Sequence, residues 1–454
     1  MATSTGPAES AASAVAPSQS EIVKVALASM IGTTIEWYDY FLYGTAAALV
    51  FNKLFFPELD PLTGTIAAFA TFSVGFIARP VGGIVFGHYG DRIGRKNMLY
   101  LTLLIMGLAT TVIGLLPTYS SIGIWAAVLL VAMRLLQGFG LGGEWGGAVL
   151  MAVEHAPPGR RGFYGSWPQI GAYAGLLIST LVFRWVSRSS EAQFLAWGWR
   201  VPFLVSFVLV VVGLWIRMRI AESPVFAKVK EQKAEARMPL VEALTRHPKN
   251  ILLAMGARFA ENGLFYLFTT FSLTYIATQL KMDRTVALNG LLIAAFVCVF
   301  AAPLWGALSD RIGRRPVYVW GAIACGLLAF PFYAMLSTKS PGMVWLAILL
   351  PMMLGHAAMY GPQASFLSEL FSARVRYSGA SLGYQLASVF AGGLSPLIAT
   401  GLLAWGGGRP WPVALYMIGL VLITVVSVAL AAETYRTGIG PETAGEPSQR
   451  RSVA

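Results

Sequence analysis

The decapeptide Gly87-His88-Tyr89-Gly90-Asp91-Arg92-Ile93-Gly94-Arg95-Lys96 returns 219 residues later as Gly306-Ala307-Leu308-Ser309-Asp310-Arg311-Ile312-Gly313-Arg314-Arg315, so the chain carries a duplicated unit. A second correspondence, at an offset of 215, sets Glu154 against Glu369 and Arg161 against Arg376, each after the fourth apolar run of its half. Both decapeptides lie between two long apolar runs. Runs of this kind recur from Val25 to Val428 with short polar breaks, each about long enough to cross a bilayer as a helix of roughly 20 residues.

Six spans are predicted at about 24–51, 63–87, 97–116, 122–152, 163–186 and 199–219, and six more at about 250–279, 287–307, 316–336, 343–370, 378–404 and 411–432. The fold class expected is an all-α membrane protein of twelve transmembrane helices in two pseudo-symmetric six-helix bundles. Residues 1–22 and 434–454 read as tails, 23–220 and 250–433 as the bundles, and 221–249 as a polar linker. With 454 residues, 56% hydrophobic and 12% charged, the chain is too apolar for a soluble globular protein of its length.

The net charge of +12 follows the loops rather than a nucleic-acid-binding stripe, and no nucleic-acid motif occurs. With both termini on one side, about 22 of the 33 Lys and Arg fall on that side and about 7 on the other, and 4 (Arg79, Arg134, Arg200, Arg258) lie in or beside helices. Both termini are therefore expected in the cytoplasm. The stretch Met1–Glu21 lacks a basic n-region and does not read as a cleaved signal peptide. Cys298 and Cys325 sit inside apolar runs, which argues against a disulfide framework and against a metal site. No GxxxxGK[ST] loop supports ATP-driven transport, and no catalytic or metal-ligand spacing supports a membrane enzyme.

The loop 87–96 and its copy resemble the signature loop of the major facilitator superfamily. Ile35-Glu36-Trp37-Tyr38-Asp39, Ala78-Arg79-Pro80, Gln137-Gly138-Phe139, Gly142-Gly143-Glu144-Trp145-Gly146-Gly147 and Gly198-Trp199-Arg200-Val201-Pro202-Phe203 narrow it. Together these resemble the metabolite:proton symporter family from about Val25 to Glu433, with the first half nearest to shikimate-type transporters. The resemblance implies the major facilitator fold, alternating access, no cofactor beyond the proton as coupling ion, and a substrate drawn from carboxylates, proline or betaines.

An ionised side chain at bilayer depth costs about 2.5–3.5 kcal/mol on insertion scales, so each needs a partner or a watery cavity. Glu36 and Asp39 are three residues apart on one face of the first helix, an arrangement suited to a proton acceptor. Arg134 and Arg79 are the cationic partners expected to hold these carboxylates or a substrate anion in alternation; fixed ion pairs locking the helices are the plainer reading. Glu144, among small residues, reads equally as a second protonation site or as a carboxyl hydrogen-bonded across a helix contact. Glu36, Asp39, Arg134 and Glu144 form the proton-coupling set.

The expected substrate-binding set is Arg79, Tyr38, Gln137, Gln169, Tyr173, Arg258, Glu261, Tyr266, Gln363, Tyr384 and Gln385, about half of the polar and aromatic members touching substrate; Tyr360 is a further lining candidate. Arg258 and Glu261, three apart, also read as a self-neutralising pair, and His356 reads as a packed, hydrogen-bonded histidine rather than a relay. By resemblance Asp91, Arg92, Arg95, Glu154, Asp310, Arg311, Arg314 and Glu369 are gate residues whose salt bridges join the halves. The function expected is proton-coupled import of a small polar metabolite, an organic acid such as shikimate or a related carboxylate. Partners are a small-molecule substrate and the bilayer of the inner membrane, with no nucleic acid, in a protein working as a monomer. An uncoupled facilitator, a proton antiporter or exporter, and a transporter-like nutrient sensor stay open as alternatives.

Overall fold

A computed structural model describes residues 19–93, 95–143, 145–218, 239–371 and 376–436. Among the described residues there is no strand, and twelve long helical segments follow one another. They are α1 (19–54), α2 (Pro61–Ile93), α3 (Arg95–Leu115), α4 (Ile124–Gly142 and Trp145–Glu154), α5 (Arg161–Val186) and α6 (Val201–Met218). The second set is α7 (Pro248–Gln279), α8 (Arg284–Ile312), α9 (Arg314–Ser337), α10 (Pro341–Glu369), α11 (376–405) and α12 (Trp411–Leu430). Among the described residues ten spans are long and apolar enough to cross a membrane. α1 is not among them, being diluted by Lys24, Glu36 and Asp39, and the apolar helix Tyr100–Leu115 forms part of α3.

The outer surface confirms lipid as the solvent. Leu304 and Leu327 are about 70% exposed at 71% and 72%, as is Trp405 at 72%, whereas Arg79, Arg134, Arg258 and Arg314 are at most 1% exposed. A water-soluble fold would reverse that order, because burying a charge without good partners costs several kcal/mol.

Several joints explain how the bundles are held. Gly313 closes the turn from α8 to α9 at φ 108°, a backbone region open to glycine and strained for other residues. Arg200 donates to the carbonyls of Gly114 and Leu116 at 2.9 and 2.6 Å, a cation satisfying the free acceptors at the end of α3. Pi-helical turns interrupt α1 (Ala47–Phe51), α7 (Leu267–Phe271, Tyr275–Gln279), α10 (Pro351–His356) and α11 (Ser388–Gly393). Each extra residue per turn shifts the register of the side chains that follow, and such bulges gather at functional sites.

Candidate functional site

Helix parity puts the 306–315 turn and the ends of α4, α8 and α10 at one end of the molecule, the motif end. There Asp310 accepts the backbone N–H groups of Gly162 and Phe163 at 2.8 and 2.9 Å, so a carboxylate from the second half caps the N-terminus of α5 in the first. Arg314 reaches Asp310 at 2.8 Å and Glu369 at 3.1 Å. The duplicated Glu and Arg then cross over: Glu369 meets Arg161 at 3.8 Å and Glu154 meets Arg376 at 3.4 Å, each carboxylate taking the arginine of the other half. Ser365 donates to the Arg161 carbonyl at 2.6 Å. A Cβ built on Gly162 or Gly306 would run into the other's carbonyl, so α5 and α8 touch backbone to backbone. Arg311 is exposed on the last turn of α8 and joins no such bond among the described residues, because one residue of helix rotation turns it away from Asp310. The side chains of Asp91, Arg92 and Arg95, and all of Glu144, lie outside the described residues.

At the opposite end Thr274 donates to the Ala48 carbonyl at 3.2 Å, Arg184 to Asn289 at 2.8 Å, and the Arg284 guanidinium lies 4.1 Å from the centre of the Phe194 ring. The halves therefore meet at both ends.

Between these closures lies a polar centre built by both halves. The Arg134 guanidinium sits 4.3, 4.2 and 4.9 Å from the ring centres of Tyr40, Tyr43 and Phe72, and donates to Gln137 and to the Phe72 carbonyl. Arg79 donates to Gln385 at 3.0 Å across the halves, and its guanidinium lies 5.5 and 5.9 Å from the Tyr40 and Tyr384 rings. Gln385 continues to the Gly142 carbonyl at 3.0 Å. Arg258 lies 3.1 Å from the centre of the Tyr384 ring, which stacks on Trp145 of the first half. Ser73 donates to the Gly393 carbonyl at 2.6 Å. Arg79 Nη1, Arg134 Nη2, Arg258 Nε, Asn262 Oδ1 and the hydroxyls of Tyr40, Tyr266 and Tyr384 are buried without a hydrogen-bond partner. Such orphaned groups are costly, and they converge where the two halves face each other. Beside them a narrow cleft is lined by Thr33, Glu36, Trp37, Arg79, Trp145 and Gln169, among others.

The expected pairing of Glu36 with Asp39 is corrected. Glu36 lines the cleft, whereas Asp39 turns to α6, where Oδ1 accepts the Ser206 hydroxyl at 2.5 Å and Oδ2 has no partner. Three residues of helix rotation splay the two side chains into different surroundings. Arg134 makes no ion pair with Asp39. Gln137 links them instead, accepting from Arg134 and donating to the main-chain carbonyl of Asp39 at 3.1 Å and to Thr110 at 2.8 Å. Tyr38 also leaves the lining set, because its hydroxyl is fixed on the Pro202 carbonyl at 2.7 Å, a contact of α1 with α6.

In the second half Glu261 takes Arg258 at 3.1 Å, Gln363 at 2.9 Å and His356 at 3.2 Å, so the self-neutralising pair is present within a larger network. Gln363 also meets Tyr318 at 2.8 Å and accepts from Arg258 at 2.8 Å. Tyr173 from α5 reaches His356 Nδ1 at 2.6 Å, and Gln169 donates to the Tyr360 carbonyl at 3.2 Å. Sequence reading passed over Tyr40, Ser206, Thr110, Asn262 and Ser73. Tyr40 had a signal, being next in the run Trp37-Tyr38-Asp39, while the hydroxyl residues have none apart from their tertiary neighbours.

Two helical bundles in a lipid-facing shell, closed at both ends around polar side chains from each half, define a membrane carrier of small solutes rather than an enzyme. The chain belongs to the Major Facilitator Superfamily, whose family model matches residues 29–392. It is 44% identical to the shikimate transporter of Escherichia coli K12 over 419 residues, covering 91% of this chain and 95% of that protein. It is 42% identical over 420 residues to the inner membrane metabolite transport protein YhjE of the same organism, at 90% and 94% coverage. The proline/betaine transporter of Salmonella typhimurium LT2 is 34% identical over 431 residues, covering 90% of this chain and 83% of that one. The fold matches a partially occluded, inward-open structure of the Escherichia coli xylose transporter XylE with TM-score 0.73 at 19% identity, covering 92% of this chain and 99% of that chain.

Proposed function

We propose that this transporter imports a carboxylate-bearing metabolite of the shikimate type together with a proton across the inner membrane, both termini lying in the cytoplasm. The observation that carries the reading is the convergence of Arg79, Arg134 and Arg258, each with a buried unpartnered N–H, on the unpartnered hydroxyls of Tyr40, Tyr266 and Tyr384. Guanidinium forks fit a carboxylate, and hydroxyls fit a ring bearing hydroxyl groups. The 44% identical shikimate transporter supports the same substrate class. A betaine also bears a carboxylate, but its quaternary ammonium would then lie among guanidinium groups, which disfavours it.

Asp39 supports proton coupling. A carboxyl 0% exposed, set among the hydroxyls of Ser206 and Thr110 with no counter-ion, is placed to carry a proton. Thr110 beside that carboxyl accepts from Gln137, which in turn accepts from Arg134, so side chains join the carboxyl's surroundings to the cation. The cap of Asp310 on α5 and the crossed Glu–Arg pairs serve as the cytoplasmic gate, formed and broken as one half rocks against the other.

The test is uptake of radiolabelled shikimate and a panel of carboxylates into vesicles under an imposed inward proton gradient, comparing wild type with Asp39→Asn and Arg134→Gln. Accumulation above equilibrium that both variants lose is expected. Equilibration that ignores the gradient refutes the coupling, and uptake of betaines with exclusion of every carboxylate that lacks an ammonium group refutes the substrate class.

A further inference from the structure

One carboxylate in the second half serves two basic side chains. Glu261 lies 3.1 Å from the Arg258 guanidinium and 3.2 Å from His356 Nε2, and all three side chains are at most 3% exposed. The single charge of Glu261 balances Arg258 and leaves nothing to balance a charged imidazole. The other titratable groups facing this cluster are Tyr173 of α5, Tyr266 of α7, Cys298 of α8, Tyr318 and Cys325 of α9, Tyr360 beside His356 on α10 and Tyr384 of α11. Phenols and thiols are ordinarily neutral near pH 7, so none of them supplies the missing negative charge. Arg258, meanwhile, keeps one buried N–H unpartnered and lies against Tyr384, whose hydroxyl is also unpartnered.

We infer that His356 is a second proton-binding site, protonated as the substrate carboxylate enters, so that proton and anion bind as a neutral couple in the second half. This rests on the carboxylate reading above. With His356 neutral, the ionised Glu261 is acceptor-only, so Nε2 carries the hydrogen and Nδ1 accepts the Tyr173 hydroxyl at 2.6 Å. Protonation adds a hydrogen at Nδ1 and reverses that bond, the ring now donating to Tyr173, which belongs to the opposite half. The cluster of Arg258, Glu261 and imidazolium then carries one net positive charge, which a carboxylate beside Arg258 offsets. Reciprocity follows: whatever factor the anion adds to proton affinity, the proton adds to anion affinity. The pi-helical turn Pro351–His356 ends on this histidine, one of the joints that distinguishes α10 from a regular helix.

The test uses the full chain with shikimate as probe, in two readings. In weakly buffered detergent solution containing a pH dye, saturating shikimate is expected to make wild type take up protons from the medium, and His356→Gln to take up about one fewer per protein. In counterflow, without a proton gradient, the wild-type KM for shikimate is expected to rise about tenfold from pH 6 to pH 8, and that of His356→Gln to change less than about threefold. Wild type that binds shikimate without taking up a proton overturns the inference whatever becomes of the variant. A His356→Gln protein with the wild-type pH profile overturns it as well, while leaving the carboxylate reading intact. Wild type that binds neither shikimate nor any other member of the carboxylate panel at any pH overturns both.

Discussion

Replacing Asp310 with asparagine isolates what its contacts between the halves contribute. Asp310 holds two N–H groups at the start of α5, at 2.8 and 2.9 Å, and Arg314 at 2.8 Å. Asparagine keeps one acceptor, turns a donor toward the other N–H and removes the negative charge from the helix N-terminus. A lost hydrogen bond to a charged group is worth about 1.5–3 kcal/mol, and the lost helix-end charge about 0.3–1 kcal/mol. Arg314 retains Glu369 at 3.1 Å, so no cation is stranded. The freed N–H groups find water when the halves part, which favours the low end of that range, about 2 kcal/mol. Closure at the motif end should therefore weaken about 30-fold, at 1.4 kcal/mol per decade. The assay is alkylation of Ala364→Cys, in a background lacking Cys298 and Cys325, by a water-soluble maleimide in detergent solution. Ala364 is 0% exposed and lies near Gly165 of α5, so labelling requires the halves to part there. The labelling rate should rise about 30-fold with Asp310→Asn. A change below about threefold would refute the assignment of Asp310 as the clamp between the halves.

Glu369→Gln should lower the melting temperature far more than Glu154→Gln, because Glu369 is 0% exposed against Arg314 whereas the Glu154 side chain is 29% exposed; equal shifts in differential scanning fluorimetry would contradict this. Gly162→Leu should cut shikimate uptake more than tenfold while leaving the protein monodisperse on gel filtration, since any Cβ there meets the Gly306 carbonyl. Outside the membrane, Lys53 at 2.5 Å holds the Glu191 carboxyl below the usual glutamate range. A lowered folded value contributes stability above the unfolded pKa, lost as pH falls through the folded one, so the pair acts at neutral pH and disappears in acid. Both partners are largely exposed, and Glu191→Gln should move the melting temperature at pH 7 by no more than about 1 °C, the difference from wild type vanishing as the pH falls through the lowered pKa of the carboxyl.

Much of the fold is legible in the chain because hydrophobicity is a local property: each apolar run declares its own helix, and the repeated decapeptide declares the duplication. The pairing of the repeated Glu154 and Glu369 with Arg376 and Arg161 is different. Their offset shows that they are equivalent, yet only the packed halves show that each carboxylate takes the arginine of the other half. Asp39 and Glu36 share a helix face on paper, but one meets Ser206, which lies 167 residues away, and the other lines the cleft. The same holds for Tyr38, spent on the Pro202 carbonyl, and for His356, a packing residue by sequence that the fold sets between Glu261 and Tyr173. Span, repeat and membrane followed from the sequence because they depend on neighbours along the chain. Which polar groups are satisfied and which are left to meet a substrate depends on neighbours more than a hundred residues away, and on helix rotations that only tertiary packing fixes.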